Sequence, residues 1–504
     1  MMVGQLQKLP PSVQKVLSLT ACLGSEFDLE TIALVEERMN AEVFVDIKTA
    51  MERGFLLPRS PLDENLLIQD YQFGHDRIQQ AAYYLIPKAE RESIHYKIGK
   101  LLRQHWSPKV REERIFVIVN HLNHGIALIA DQADRDRLAK LNLMACRKAR
   151  MAIAYQAAGE YAAIGLNLLG SEAWQRQYET TLALHELAAE LALLCGEFDQ
   201  MERWADAAID RARTPLDRAG VYSVKIQALS IQDKLSEAIS VGQLILKDLG
   251  VQFSNPPSSE DIQQAVREIN SSIADRPIED LFHLPAMRDV EKLTIMQVAA
   301  AIGPACFMLG SPLFPLLITL LVNLSLQYGN SPTSGYGYAC YGLFLNSFLQ
   351  DAIPAGQFGR LAYWLASTSD ARNMRSETYA IVGLFLHHRQ AHLRETLPIL
   401  LEGYQAGLEA GNLGFVGHNG NGFCINSLWC GKPLAELETQ IRSFRQQFLD
   451  CNQLTAANYC SIYWETTLFL LGNSDAIEFS FSQDIYEGNQ VSQSFVTKNV
   501  AGVF

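Results

Sequence analysis

Histidine changes charge near neutral pH and is a common metal ligand. The histidine pairs of this 504-residue chain are therefore the first place to look for chemistry. His121 and His124 stand three residues apart, and His388 and His392 stand four apart. The second spacing predicts two rings on one helix face. A zinc protease would carry Glu directly after the first His, but Arg389 follows His388. No third ligand is spaced for either pair, so packed or surface histidines are expected, and no metal. His185-Glu186-Leu187 starts like a phospho-acceptor box. Ala188-Ala189-Glu190 then stands where a basic residue, a small polar residue and Pro would be needed.

A phosphate loop needs a Gly-rich turn, a Lys that reaches the phosphates and a hydroxyl for magnesium. Gly431-Lys432-Pro433 lacks both the earlier glycine and the hydroxyl. The run Gly417-His418-Asn419-Gly420-Asn421-Gly422 is glycine-rich but has no strand-to-helix setting. The His-Arg-Asp and Asp-Phe-Gly triplets of protein kinases do not occur; His75-Asp76-Arg77 has a different order. No catalytic residue is expected, and the chain is not expected to be an enzyme.

The elements around these residues are legible from period and punctuation. Pro10-Pro11-Ser12 opens a helix, with Ser12 as N-cap, and Gly24 ends it. Asp28 caps a second helix, and a third runs from about Ala41 to Arg53. Phe55–Pro58 and Leu66–Phe73 read as a strand pair, and Asp76 caps a helix after His75. Three helices and a strand pair have the order of a winged helix. Such units often bind DNA, yet residues 1–110 hold 13 basic and 14 acidic side chains. The third helix sets Glu42, Asp46 and Glu52 against Lys48 and Arg53, which is not the basic face of a DNA reader.

After Trp106 alanine- and leucine-rich helices dominate. Gly159-Glu160-Tyr161, Gly196-Glu197-Phe198 and Asp233-Lys234-Leu235 recur at intervals of 37 residues. A turn residue with an aromatic or Leu two later fits paired antiparallel helices of the tetratricopeptide kind, whose period is about 34. Gly310, Asp351, Gln390, Gly431 and Gly472 extend the grid, with room for one more repeat near Ser272. Leu249-Gly250, Tyr328-Gly329-Asn330 and Ala410-Gly411-Asn412 read as helix ends. The expected fold is mainly α: a winged-helix-like domain over 1–110, a tetratricopeptide-like helical repeat superhelix over 111–475, and an irregular tail over 476–504.

Composition bounds the rest. Hydrophobic residues are 48% and charged residues 19%, which excludes a disordered chain. The net charge of −13 argues against a general nucleic-acid or anionic-membrane binder. Nine cysteines, none in Cys-x-x-Cys spacing, read as reduced apolar residues of a cytoplasmic protein. No signal peptide is seen at the N-terminus. Residues 293–350 hold no Asp, Glu, Lys or Arg. Pro304, Pro312 and Pro315 are expected to cut that stretch below the ~20 residues of a membrane span.

Leu9-Pro10, Ala21-Cys22-Leu23-Gly24, the Phe73-x-His75-Asp76-Arg77 step and Val119-Asn120-His121-Leu122-Asn123 together resemble one family. So do Tyr328-Gly329-Asn330 and His392-Leu393-Arg394-Glu395-Thr396-Leu397. The chain, to about Gly472, resembles the winged helix and helical region of STAND-type ATPases, closest to large bacterial multi-sensor signalling kinases. The resemblance implies a serine/threonine kinase domain and an AAA-like ATPase before this region, and GAF or PAS sensors and a histidine kinase after it. It further implies ATP or ADP bound by an ATPase core that this chain lacks. His75 and Asp76 would touch that nucleotide. Partners would be ATPase and kinase modules in cis or trans, with the chain a split product or a fragment. Two other readings stand beside it: a DNA-binding transcription regulator with a helical-repeat effector domain, and an enzyme hidden in residues 293–350.

Overall fold

The computed structural model describes residues 2–472 except 62, 64–66, 255, 275 and 452. The expected tail over 476–504 lies outside the described residues. The chain divides into two compact units, Met1–Cys195 and Gly196–Phe504.

The first unit opens with α1 (Met2–Leu6), α2 (Pro11–Leu23), β1 (Glu26–Asp28), α3 (Leu29–Glu36) and α4 (Asn40–Glu52). Then come β2 (Leu56–Pro58), β3 (Asp70–Phe73) and α5 (Asp76–Tyr84). The sheet is antiparallel in the order β1-β3-β2, with Phe27 opposite Tyr71 and Leu56 opposite Phe73. The strand pair of the sequence reading is β2 and β3; β1 is an added third strand. Its three residues are too few to show alternation, but Phe27 stacks on Tyr71. Leu17, Leu29, Ile32, Ile47, Leu56 and Tyr71 form the core between sheet and helices.

One expected cap here moves by two positions. Pro10, with no side-chain bond, precedes α2, and Ser12 lies inside it. The Ser12 hydroxyl donates to Asp46 instead, which also pairs with Arg38. Asp28 caps α3 as expected, accepting from the Thr31 amide.

The unit continues with α6 (Lys88–His105), α7 (Pro108–Glu113), α8 (Ile115–His124), α9 (Gln132–Met151), α10 (Tyr155–Leu169), α11 (Ala173–Arg176) and α12 (Tyr178–Leu194). Helices α9 and α10 form an antiparallel hairpin. Its turn residue is Ile153, at φ 61°, and Gly159 lies inside α10. The sequence alignment thus put this turn six residues too late. A single glycine costs a helix only about 1 kcal/mol, so Gly159 does not end α10. The link from α9 to α11 is a bidentate ion pair, with Arg176 donating to both oxygens of the buried Asp136.

The second unit holds α13 (Phe198–Arg211), α14 (Pro215–Ile231), α15 (Leu235–Asp248), α16 (Ser259–Ile273), α17 (Val290–Met308), α18 (Leu313–Tyr328) and α19 (Ser334–Ser347). It ends with α20 (Ala352–Ala366), α21 (Arg375–Ile381), α22 (Thr396–Ala410), α23 (Leu413–Trp429), α24 (Leu434–Asp450) and α25 (Leu454–Leu470). Hairpins α14/α15, α17/α18, α19/α20 and α23/α24 turn at Asp233, Gly310, Gln350 and Gly431, all at positive φ. Gln350, not Asp351, makes the third of these turns. The hairpin α21/α22 uses no such residue, because Gln390 has φ −125°. There the chain passes through a π turn, Val382–Leu386, and a 3-10 turn, His387–Arg389.

The extra repeat expected near Ser272 is a lone helix, α16, and a 3-10 turn over Ile278–His283. Ser258 and Asp261 begin α16 with a reciprocal capping box. Among the described residues, the β pairing beyond residue 110 is a single bridge, Ala286 to Asn330.

The uncharged stretch forms α17, α18 and α19. Every residue from Ser334 to Leu345 is buried, as a helix apolar on all sides requires. Pro304 does not cut the stretch. It sits inside α17, where Ile302, Ala305 and Cys306 are buried in the core. Core contact on both sides of the proline offsets the one hydrogen bond it removes. As a result Val290–Met308 is long and apolar enough to cross a membrane, although half of it is buried inside the protein.

An isoleucine at φ 61° is strained, because its Cβ crowds the following carbonyl. Ile153 is also half exposed, so its side chain contributes little packing. We expect Ile153→Gly to raise unfolding stability by about 1 kcal/mol. Chemical denaturation measures this, and a loss of stability would contradict the left-handed turn.

Candidate functional site

His75 stands where β3 gives way to α5. Gly74 is required just before it: a Cβ at Gly74 would meet the Gly54 carbonyl oxygen at 2.9 Å. The Gly74 amide donates to the Phe55 carbonyl, which ties the junction to the start of β2. His75 is the N-cap of α5, a role the sequence reading gave to Asp76. Its Nδ1 accepts from the Arg77 amide at 3.1 Å. That bond fixes Nδ1 as the unprotonated nitrogen of the neutral ring. The proton sits on Nε2, and the side chain is exposed. Asp76 is the first helical residue, also exposed, where its charge complements the helix dipole. The junction therefore presents one ring donor beside one carboxylate.

A second histidine constellation lies between α6 and α8. Gly99 and Gly125 let the two helices close: a Cβ at Gly99 would lie 2.8 Å from Leu122. His121 and His124 were legible as a pair, but their partner His95, on α6, was not. Its only sequence signal is a polar residue on the apolar face with Ile98 and Leu102. His95 Nδ1 lies 2.8 Å from His121 Nδ1, and His95 Nε2 lies 3.1 Å from the Tyr83 hydroxyl. The His124 ring stacks on His95. With both rings neutral, one proton lies between the two Nδ1 atoms: where His95 carries it, His95 Nε2 accepts from Tyr83, and where His121 carries it, His95 Nε2–H donates to the Tyr83 oxygen. Burial is the first cause that holds both rings neutral. His95 is pushed down to about 4, and nearby His124 and Arg91 add to this. His121 is pushed down to about 3, with His95 and His124 adding. Among the described residues no group of three His, Cys, Asp or Glu is arranged to hold a metal ion.

The other histidine pair does not share a helix face. His388 is in the 3-10 turn that ends α21's extension, while His392 caps the next turn by accepting from the Arg394 amide. The break in the helix separates the two rings. His185 is buried, and its Nδ1 contacts the Thr181 carbonyl at 2.8 Å. Burial lowers its affinity for a proton. The glycine run 417–422 lies within α23 as a packing surface, with Gly417 against Ala456 and Gly422 against Leu384. Gly431 is a turn, and Lys432 pairs with Glu436.

Sequence reasoning missed one further titratable group. Glu377, on α21, is buried, and burial pushes its carboxyl up to about 7. Its Oε1 accepts from Asn412, whose own oxygen caps α23 by accepting from the Phe415 amide. Oε2 has no hydrogen-bond partner. The carboxyl thus sits at the joint between α21 and the α22–α23 turn. A lone Glu in Arg375-Ser376-Glu377 gives no sign of this, because burial here is set by α23 packing on α21.

No family model matches the chain. It is 22% identical to the hybrid signal transduction histidine kinase G of Dictyostelium discoideum, over 524 aligned residues. That alignment covers 89% of this chain and 15% of the kinase's length. A Signal Transduction ATPase with Numerous Domains (STAND) protein with a tetratricopeptide repeat sensor, from Pyrococcus horikoshii, superposes with a TM-score of 0.41 and 11% identity. That superposition covers 93% of this chain and 61% of the other.

The two perturbed sites have opposite pH signs. His95 and His121 bind protons more weakly folded than unfolded. Their contribution is present above the ordinary histidine value of 6.5 and is lost as pH falls toward about 4. Glu377 binds its proton more tightly folded. Its contribution is present below 4.5 and is lost as pH rises through about 7. Hydrogen exchange should show α6 and α8 opening more easily at pH 5 than at pH 7. It should show α21 and α23 opening more easily at pH 8 than at pH 5, and Glu377→Gln should remove that second dependence. The loss at pH 8 is roughly 3 kcal/mol at most. A pH-independent α21 in the native chain would contradict the buried carboxyl.

Proposed function

We propose that this chain is a non-catalytic regulatory segment of a STAND-type signalling kinase. It receives a protein signal on its helical array and relays it between a nucleotide switch and kinase output modules. The observation that carries this reading is the likeness to a hybrid histidine kinase over 89% of this chain but only 15% of that kinase. What is shared is thus one stretch, 15% of the length, of a signalling protein. Helix hairpins of the kind formed by α19–α24 suit protein recognition, since their stacked surfaces are long and continuous.

In this reading residues 1–110 are a winged helix and 111–475 are the array. The helix-strand-helix-helix-strand-strand order of α2 to β3 supports the first assignment. The chain works in the cytoplasm with ATPase and kinase modules as partners, in cis or in trans. ATP or ADP belongs to the ATPase core. His75 contributes its Nε2–H to a phosphate of that nucleotide, and Asp76 anchors the junction by completing the first turn of α5.

The test is reconstitution with the ATPase core of a STAND-type kinase. His75→Ala should leave this chain folded, because the ring is exposed and its cap bond is a single contact. The same change should weaken ADP retention by the reconstituted pair about tenfold to a hundredfold, the worth of one charge-assisted hydrogen bond. Unchanged ADP affinity would remove His75 from the switch.

A further inference from the structure

The net charge of −13 is unevenly placed along the chain. Residues 88–150 hold 14 basic and 7 acidic side chains, a balance of +7 that leaves −20 for the rest. Helix α9 carries part of this excess outward. Its exposed residues are Ala133, Arg137, Lys140, Met144, Arg147 and Met151. Met144 is 43% exposed and Met151 81%. The steps between the six are four, three, four, three and four residues, so they form one stripe along the helix. The stripe is about 27 Å long. The other sides of α9 are occupied, by α8, α10 and α12.

The stripe holds cations and apolar side chains but no carboxylate. Carboxylates stand on its two flanks instead. On one flank Asp134 pairs with Arg137, and Lys100 and Arg103 of α6 lie close enough to act on its charge. On the other flank Glu190 of α12 pairs with Arg150, and Glu186 lies near Arg147. The flanking acids thus hold the edges of the stripe, while Lys140 and Met144 occupy its open middle.

We propose that this stripe is a docking face for an acidic amphipathic helix of a partner protein, one that carries Asp or Glu among apolar side chains at spacings of three and four. Three features select that partner. The spacing of the stripe is the one at which a second helix, laid alongside, repeats its own side chains. The cations call for carboxylates, and the methionines between them adapt to apolar side chains of varied shape, which a nucleic-acid backbone does not offer. A flat anionic bilayer would also meet Asp134, Glu186 and Glu190, whereas a single helix along the stripe meets the cations alone. Such a partner is the protein signal of the relay reading, on which this assignment rests. The nucleotide switch takes no part in the test, so either can fail alone.

The test is fluorescence anisotropy of the full chain with a labelled helical peptide about five turns long. The peptide is built on Ala, with Glu and Leu placed at the spacing of the stripe. It should bind at low salt, and about tenfold more weakly at physiological salt. Lys140→Glu and Met144→Glu should each weaken binding about tenfold, with unchanged circular dichroism. Lys140→Arg and Met144→Leu should leave it as it was. Absence of binding at low salt would overturn the proposal, and so would full binding by both Glu variants. Equal binding of a peptide with the same residues scrambled, or tighter binding of duplex DNA or phosphatidylserine vesicles, would overturn it too, by making the stripe a general anion surface.

Discussion

The second unit depends on helices approaching where one of them has no side chain. A Cβ on Gly242 would lie 2.4 Å from Ile302, and one on Gly420 would lie 2.7 Å from Phe448. Neither distance is open to a real side chain, so each glycine is the condition for its neighbour's position. Close approach lets bulky residues fill the space between hairpins, and it leaves no room for solvated charge. That is why residues 293–350 can lack charge altogether and still form three helices of a packed core. Glu377 shows the converse: a charged group inside such a core sits at a joint, here the one between α21 and α23.

Much of the architecture was legible because turns and helix ends have chemical markers. Asp28, Gly196, Asp233, Gly310, Gly411 and Gly431 all sit where their residue types predicted. The misses are equally physical. Ile153 and Gln350 take left-handed turns that their side chains disfavour, so composition pointed to Gly159 and Asp351 instead. The hairpin imposes the geometry, and the residue accepts the strain. Pro304 was read as a breaker, but core packing on both sides carries α17 through it. Strand β1 is too short to show a period and exists because β3 gives it a partner.

The site residues divide in the same way. The strand-to-helix step at His75 was legible because it is local, although the capping role was read onto Asp76. His95 was missed because its partner His121 is 26 residues away, across an interhelical contact made close by Gly99 and Gly125. Glu377 was missed because its burial arises from α23, which packs over α21 but is remote in sequence. Local motifs were visible in the chain; groups brought together by helix stacking were not.

The role proposed for this chain is to relay a signal rather than to catalyse. Of the histidines weighed for chemistry, His75 and His392 are caps, His121 is a buried hydrogen-bonding partner of His95, His124 stacks on His95, His388 is in a turn, and the His185 ring meets the Thr181 carbonyl of its own helix. The direct measurement is incubation of the purified chain with magnesium and ATP labelled at the γ-phosphate. The account predicts no phosphate release above buffer and no label retained on the protein. Turnover of ATP, or stable label that is lost on His185→Gln, would contradict it.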